Sequence, residues 1–206
     1  MVMGWYSQVI FPRLCDLFLG TPIVSKLRHE LLAEVHGEIL EIGFGSGLNL
    51  ANYPKHIRKI TTVDPNAGMN RLAQKRIKKA GIEVEQLVSS CERIPFEDDS
   101  VDCVVSTFTL CSIDNVEKAL SEVRRVLRPG GAFLFLEHGL SPDSNVCKWQ
   151  RRLNWLEMRL GDGCRLDRNI RELVSGQRFA SVKMDEFYMA RVPRTHGYMY
   201  RGKGVK

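Results

Sequence analysis

A glycine-rich stretch carries the clearest chemical information in the sequence. It reads Glu41-Ile42-Gly43-Phe44-Gly45-Ser46-Gly47 and follows a short apolar run, 38–42, that is typical of a buried strand. Glycines at a strand-to-helix turn let a ligand approach the backbone and bond to free N–H groups. We therefore expect a ligand site here, followed by a helix from Leu48. The candidate contact residues are Glu41, Gly43, Phe44, Gly45 and Gly47.

The spacing within this turn disfavours two common nucleotide-binding patterns. A dinucleotide fingerprint needs a further glycine three residues after Gly45, where the sequence has Leu48. The Walker pattern needs Gly-Lys followed by Ser or Thr, and none follows the turn. A dehydrogenase and a nucleoside triphosphatase are therefore not expected.

An acidic residue stands at the end of the next apolar run. Asp64 lies 21 residues after Gly43 and directly before Pro65. A carboxylate at this point of an α/β unit can accept hydrogen bonds from both hydroxyls of a ribose. The alternative is that Asp64 caps the helix that follows.

A histidine ends the fifth predicted strand. His138 follows the apolar run 132–137 and should lie at the same edge of the sheet as the glycine turn. Imidazole is the side chain best suited to remove a proton near neutral pH, so His138 is the candidate catalytic base. The alternative is a buried histidine with a structural hydrogen bond.

The elements that position these residues alternate along the chain. Five apolar runs indicate strands, two weaker runs follow near the C-terminus, and four stretches with helical periodicity lie between or after them. The predicted strands are 38–42, 60–63, 84–88, 101–106, 132–137, 181–189 and 196–200. The predicted helices are 69–80, 116–127, 146–160 and 169–174. Alternation of this kind predicts an α/β fold with a single doubly wound, mostly parallel, seven-stranded sheet whose last strand is antiparallel.

The length of the chain and its distribution of charge limit the possible architectures and partners further. The 206 residues predict one domain spanning 1–206. Residues 1–30 are expected to form a helical lid or a segment lying on a membrane surface, because the aromatic stretch 5–19 is too short and too often interrupted to cross a bilayer. Residues 147–206 carry 14 Lys and Arg against 6 Asp and Glu. A basic region of this kind is suited to an anionic membrane surface, to phosphate or to nucleic acid, and the alternative is a solvated face without a partner.

The six cysteines are scattered, with no Cys-x-x-Cys pair and no His/Cys grouping at zinc spacing. From this spacing we expect no metal, reduced thiols and a cytoplasmic protein, peripheral to the membrane if it binds one. No signal peptide is expected either, because the N-terminus lacks a basic start.

These motifs together resemble a known enzyme family. The glycine turn is similar to the S-adenosylmethionine (SAM) binding loop of class I methyltransferases, which have a Rossmann-like fold. The whole set resembles small methyltransferases allied to the ubiquinone/menaquinone methyltransferases, and most of all the methyltransferase-like thiol S-methyltransferases. The segments that carry the resemblance are Gly43 to Gly47, Asp64, Leu110-Cys111-Ser112, Arg128-Pro129-Gly130-Gly131, Glu137-His138 and Asp162-Gly163-Cys164.

The resemblance implies roles for further residues. SAM is the implied cofactor, with S-adenosylhomocysteine as its product. Cys91 and Glu92 would lie near the adenine, although Ser90 stands where the family usually has an aspartate. Thr107 would lie beside the methionyl group, and Pro65 is a further candidate contact of the cofactor. The acceptor would contact residues of the N-terminal segment and of two later regions, namely Trp5, Tyr6, Phe11, Cys111 and Trp149.

The acceptor is a small molecule, and the resemblance favours a thiol. Bacterial phosphatidylethanolamine N-methyltransferases have the same size and layout, so a phospholipid head group is an alternative acceptor, and a quinone precursor is another. A SAM-binding protein without catalysis is the remaining reading. Nucleic acid is not expected, because the chain lacks the Asp/Asn-Pro-Pro-aromatic and Pro-Cys motifs of base-methylating enzymes. The sequence does not indicate an oligomeric state.

Overall fold

The computed structural model describes residues 4–206, so residues 1–3 of the predicted N-terminal segment lie outside it. A π-helical turn, Tyr6–Ile10, opens the chain, and a 3₁₀ turn, Leu50–Asn52, follows the glycine turn. The α-helices are α1 Phe11–Leu19, α2 Pro22–Leu32, α3 Ala67–Ala80, α4 Val116–Val126, α5 Ser144–Leu160 and α6 Ile170–Ser175. The strands are β1 Ile39–Ile42, β2 Lys59–Val63, β3 Glu83–Leu87, β4 Val101–Thr107, β5 Leu127–His138, β6 Ser181–Tyr188 and β7 Tyr198–Val205.

The strands form one seven-stranded sheet in the order β3-β2-β1-β4-β5-β7-β6. The five strands from β3 to β5 are parallel, and β7 pairs antiparallel with both β5 and β6. The predicted sheet, with seven strands and an antiparallel last strand, is therefore confirmed. Such a sheet collects ligand-binding loops at the carboxyl ends of its strands, beside the reversal of strand order at β1 and β4.

Two hydrophobic cores lie on the two faces of the sheet, because successive side chains of a strand point to opposite faces. On β5, Phe133 and Phe135 pack into one core with α4, whereas Leu134 and Leu136 pack into the other with α2. All four side chains are fully buried. The central strands are thus fixed from both sides, which holds their carboxyl ends in place.

Two expectations about local structure are wrong. The helix predicted from Leu48 is only the short 3₁₀ turn, because Tyr53 precedes a proline and adopts an extended conformation that ends the turn. The segment 128–131 was expected to lie outside the fifth strand, which was predicted to begin at residue 132. It is part of β5 instead: Val101 pairs with Leu127 and Cys103 with Ala132, so the residues between bulge out of the ladder.

Candidate active site

A cavity of about 780 Å³ lies at the carboxyl ends of the central strands. Its wall on the β1 and β2 side is formed by the glycine turn and the end of β2, and its opposite wall by the loops after β4 and α5. The sequence-predicted residues that line it are Phe11, Gly43, Phe44, Gly45, Asp64, Pro65, Cys91, Glu92 and Thr107. A second cavity, of about 640 Å³, lies against β6 and β7 among charged side chains such as Glu34 and Lys203 and contains none of the predicted residues.

The glycine turn needs its glycines for two different reasons. Gly43 has φ +67°, and a Cβ added there would lie 2.1 Å from the hydroxyl oxygen of Thr109. Gly45 has φ +59°, but its nearest atom to an added Cβ is the carbonyl oxygen of Gly43 at 3.9 Å. Gly43 therefore lets the loop after β4 pack against the turn, while Gly45 leaves open space for a ligand. Gly47 does not line the cavity. An added Cβ there would lie 3.2 Å from the Phe44 ring, so this glycine, like Gly43, allows close packing.

Glu41 supports the cavity from below. Its carboxylate is fully buried and accepts hydrogen bonds from the Tyr53 hydroxyl at 2.6 Å and the Asn49 amide at 2.9 Å. Burial raises its pKa to about 7, although both hydrogen bonds and the nearby charge of Arg28 oppose the shift. Glu41 itself does not line the cavity, but Asn49, to which it is hydrogen-bonded, does.

Asp64 joins the second strand to the glycine turn. One carboxylate oxygen accepts a hydrogen bond from the Gly45 N–H at 2.7 Å, and the other accepts one from the Asn66 N–H at 2.7 Å. Burial raises the pKa of this carboxyl, against the effect of these two bonds. The cap of α3 is Asn66, whose side chain accepts from the Gly68 and Met69 N–H groups. Asp64 is thus not the helix cap.

Two cavity-lining residues hold buried polar atoms with no protein partner. One is the acceptor Oδ1 of Asn49, and the other is the donor Nε of Arg28. An unpaired buried polar atom is costly, so such atoms point to a ligand that completes them. A ligand that carries both an amino and a carboxylate group would give each of these atoms a hydrogen-bond partner. Burial lowers the pKa of Arg28 to about 10, so the side chain stays charged at neutral pH.

The loop after β3 forms the far edge of the cavity. Cys91 is buried, which raises the pKa of its thiol to about 12, so it behaves as an apolar wall. One carboxylate oxygen of Glu92 accepts a hydrogen bond from the Asn115 N–H at 2.9 Å, which ties this loop to the start of α4. The loop therefore has the apolar surface and fixed polar groups suited to a planar base.

Glu137 fixes the turn that follows β4. Its buried carboxylate accepts hydrogen bonds from the Ser106 hydroxyl and from the N–H groups of Thr109 and Leu110. Burial raises its pKa to about 8. Phe108, inside this turn, has φ +54° and contacts both the Arg28 guanidinium, at 5.4 Å, and the His138 ring, at 6.5 Å. The turn is therefore held in one strained conformation at the cavity wall.

Below the cavity, Cys111, His138 and Cys164 come together. Their ligating atoms all lie within 4.8 Å of one another, and the Nε2 of His138 is 3.2 Å from the Sγ of Cys164. Burial disfavours the charged ring, but the adjacent Cys111 raises the pKa of His138 to about 9. Cys164 and His138 lower the pKa of Cys111 against the effect of burial. His138 does not line the cavity, and its role as a base stays a prediction.

The N-terminal segment closes the cavity from one side. Tyr6 donates its hydroxyl to the Leu160 carbonyl, and Ser7 donates to the Asp162 carboxylate at 2.6 Å. The Asn66 amide donates to the Ser7 carbonyl at 2.9 Å. Phe11 is the one predicted acceptor residue of this segment that lines the cavity.

The other predicted acceptor residues lie away from the cavity surface. Trp5 is 70% exposed, and Tyr6 is used in its bond to α5. Trp149 is 56% exposed on the outer side of α5, where it contacts Arg152. Cys111 lies directly behind Ser112, which does line the cavity.

Sequence reasoning missed several cavity-lining residues. Asn49 had a weak signal, two residues after the glycine turn. Arg28 had no sequence signal, because it lies on α2, outside every motif of the chain. The others are Gly4, Ser7, Cys15, Leu19, Ser46, Leu48, Asn66, Met69, Ser90, Phe108, Thr109, Ser112, Ile113, Asp114, Asp162 and Gly163.

Comparison with known proteins agrees with this geometry. Residues 40–135 match the methyltransferase domain family. Human thiol S-methyltransferase TMT1A is 36% identical over 172 residues, which cover 80% of this chain and 70% of the human protein. Rat thiol S-methyltransferase TMT1B is 36% identical over 151 residues, which cover 71% of this chain and 62% of the rat protein. The chain thus spans less than two thirds of the rat protein's length.

A solved structure shows the same fold over nearly the whole chain. It is a SAM-dependent methyltransferase from Thermotoga maritima, described as a possible histamine N-methyltransferase. The two superpose with a TM-score of 0.69 at 19% identity, and the match covers 98% of each chain. At this identity the likeness shows the fold and leaves the acceptor open.

Proposed function

The chain belongs to the family of SAM-dependent methyltransferases that includes the thiol S-methyltransferases, and on this premise we propose that it methylates the sulfur of a small thiol. The observation that carries the proposal is the position of the cavity. It joins the glycine turn to the loops after β4 and α5, and two of its lining residues, Ser112 and Gly163, are the chain neighbours of Cys111 and Cys164 in the cluster with His138. Donor and acceptor would meet between these two walls.

The residues present fit SAM along the whole length of the cofactor. The ribose hydroxyls would bond to Asp64, each of whose oxygens keeps acceptor capacity beyond its backbone bond. The adenine would lie against the loop that holds Cys91 and Glu92. The methionyl carboxylate and amino group would hydrogen-bond to Arg28 Nε and Asn49 Oδ1, which are buried and have no hydrogen-bond partner among the described residues.

Methyl transfer from SAM is an in-line displacement. The acceptor sulfur forms a bond to the methyl carbon while the bond from that carbon to the sulfonium breaks, and S-adenosylhomocysteine leaves. Catalysis then depends on holding the two sulfurs in line and on excluding water. An ordinary thiol, with a pKa of about 8.5, is only partly ionised at neutral pH, so the site must also favour the thiolate.

A methyl-acceptor panel tests the proposal. The purified protein is incubated with labelled SAM and, in separate reactions, an alkyl thiol, the matching alcohol, phosphatidylethanolamine vesicles and a quinol precursor. We expect a labelled thioether from the thiol and no product from the alcohol, which is the matched control. Methylation of the lipid or the quinol with none of the thiol would overturn the thiol assignment and favour one of the other two acceptors.

We further propose that the protein works at a membrane surface, where apolar thiols collect. Large apolar side chains are exposed on α1 and α5 and just before them, namely Trp5, Leu17, Phe18, Trp155 and Leu160, each at least 57% exposed. The Tyr6 bond to the Leu160 carbonyl joins the start of the chain to the end of α5, beside the cavity. Within residues 4–206, none of the helices is both long and apolar enough to cross a bilayer.

A further inference from the structure

We propose that Cys111, His138 and Cys164 form a binding site for a divalent metal ion of the zinc class. The three residues come from three separate segments: the loop after β4, the end of β5 and the loop after α5. Their Sγ and Nε2 or Nδ1 atoms nevertheless lie within 4.8 Å of one another. The separations of 27 and 26 positions along the chain hide this grouping from any spacing motif.

The donor set and its dimensions suit a tetrahedral ion. With bonds of about 2.3 Å to sulfur and 2.0–2.1 Å to nitrogen, the ligating atoms of such a site stand roughly 3.5–4 Å apart. The cluster is already near this size, since His138 Nε2 lies 3.2 Å from Cys164 Sγ. Two thiolates, one neutral imidazole and a divalent cation sum to zero charge. A neutral complex is what a largely buried position tolerates best.

The backbone around the ligands is fixed before any ion binds. The carbonyl of Cys111 accepts hydrogen bonds from the Arg165 N–H at 3.1 Å and the Arg168 guanidinium at 3.2 Å. The N–H of Cys164 donates to the Gly161 carbonyl at 3.0 Å, and the preceding Gly163 has φ +91°. Ligands held in this way lose little entropy on coordination.

Three protein ligands leave a fourth position, as in catalytic zinc sites. The neighbours of two ligands, Ser112 and Gly163, line the cavity, so the open position lies on the cavity side. This step rests on the proposed thiol acceptor. The thiol gives its proton to solvent water when its sulfur coordinates the ion. That sulfur then forms the bond to the methyl carbon, the sulfonium bond breaks with its electron pair, and the neutral thioether, a weak ligand, departs.

In this arrangement His138 is a ligand and not a base. The competing reading of the same geometry is a dithiol that closes to a disulfide between Cys111 and Cys164. All six cysteines of the chain are free in the structure. Metal coordination needs no oxidant and uses the histidine as well, so it accounts for all three side chains.

Cobalt(II) titration under reducing, oxygen-free conditions tests the site with the metal alone. We expect one equivalent to bind with the absorption of cobalt–thiolate bonds. C111S and C164S should weaken binding by about 100-fold or more, because even groups outside the coordination sphere contribute 10–100-fold. C147S, which removes a partly buried thiol on α5, is the matched control and should bind as the wild type does. SAM affinity and melting temperature confirm that each variant is folded.

Butanethiol, added in a few equivalents, then tests the fourth position. We expect it to shift the cobalt spectrum of the wild type. Three results would overturn the metal site: no cobalt binding by the wild type, cobalt binding by C111S and C164S as tight as that of the wild type, or a Cys111–Cys164 disulfide in freshly purified protein. If metal-free protein methylates the thiol at full rate, the inference fails while the proposed function stands. If butanethiol shifts the spectrum but is never methylated, the metal site stands and the proposed function fails.

Discussion

The carboxylate of Asp64 accepts a hydrogen bond from the backbone N–H of Gly45 at 2.7 Å. This bond ties the end of β2 to the glycine turn after β1, so the two parts of the cofactor site are already joined without a ligand. A ribose that binds Asp64 would find the loop in its working position. Pre-organisation of this kind raises affinity by lowering the entropy lost on binding.

Replacing Asp64 tests this joint. We expect D64A to weaken SAM binding at least tenfold, or about 1.4 kcal/mol, because two ribose hydroxyls lose an acceptor and the loop loses its tie. D64N, which keeps one acceptor oxygen, should fall between D64A and the wild type. Calorimetry with SAM measures all three proteins. Equal affinities would remove Asp64 from the ribose site.

The glycine turn offers a matched pair of alanine variants. G45A should stay folded with a lower melting temperature, since φ +59° costs a side chain roughly 1–2 kcal/mol, and the new methyl group should reduce SAM affinity. G43A should lose far more stability, because its Cβ would collide with Thr109 at 2.1 Å. Thermal unfolding with and without SAM separates the two effects. A G45A protein with normal SAM affinity would show that this glycine does not face the cofactor.

The unpartnered atoms of Arg28 and Asn49 predict where the methionyl end binds. We expect R28Q and N49A each to lower the affinity for SAM by about tenfold or more, the cost of losing one charged or polar contact. Their affinity for 5′-methylthioadenosine, which lacks the amino and carboxylate groups, should change little. Calorimetry with both ligands gives the comparison. A parallel loss for both ligands would mean that the variants disturb the fold of the cavity.

The buried carboxyl of Glu41 predicts a pH dependence of stability. Its pKa rises from 4.5 to about 7 on folding, so the folded protein holds a proton that the unfolded chain has lost. The stability from this group is present below pH 4.5 and is lost as the pH rises through 7, by roughly 3 kcal/mol at most. E41Q cannot titrate there and should show a flatter profile. Urea unfolding between pH 4.5 and 8 measures both, and parallel profiles would contradict the shift.

The exposed apolar residues predict binding to vesicles. We expect the wild type to float with anionic vesicles and to bind less at high salt, since the Lys and Arg side chains of residues 147–206 would be attracted to the lipid head groups. The double variant L17S/F18S should bind more weakly at every salt concentration, because both side chains are about 70% exposed and would enter the lipid. Unchanged flotation of this variant would assign the contact elsewhere, and no flotation of the wild type at low salt would remove the membrane proposal.

The sequence predicted the sheet well because its signals are local. The apolar run of β4 and the glycine turn after β1 mark strand positions without any knowledge of neighbours. Membership of the methyltransferase family, which the same motifs predicted, is confirmed by the similarity to its relatives. The bulge at the start of β5 was missed, since the Pro-Gly-Gly signal indicates a turn. Leu127 pairs with Val101, and backbone hydrogen bonds join Gly130 and Gly131 to Lys206, so these long-range contacts keep the segment at the sheet.

The site was predicted only in part because it depends on residues distant in sequence. Asp64 follows a strand and could be found from spacing alone. Arg28 reaches the cavity from α2, and its burial beneath the loops is a property of the packed fold. Cys111 and Cys164 lie 53 positions apart, and only the return of the chain after α5 brings them together.

Phe108 contacts both Arg28, which in the proposed complex would meet the SAM carboxylate, and His138, which would lie toward the acceptor. A SAM carboxylate that draws the guanidinium would shift the ring, and the ring would shift the imidazole. The two binding equilibria are then linked energetically. By thermodynamic reciprocity, whatever factor SAM gains from a bound thiol, the thiol gains from bound SAM. Where that factor exceeds one, the ternary complex is favoured over either half-filled one, and a thiolate then spends less time in the site without a methyl group to accept.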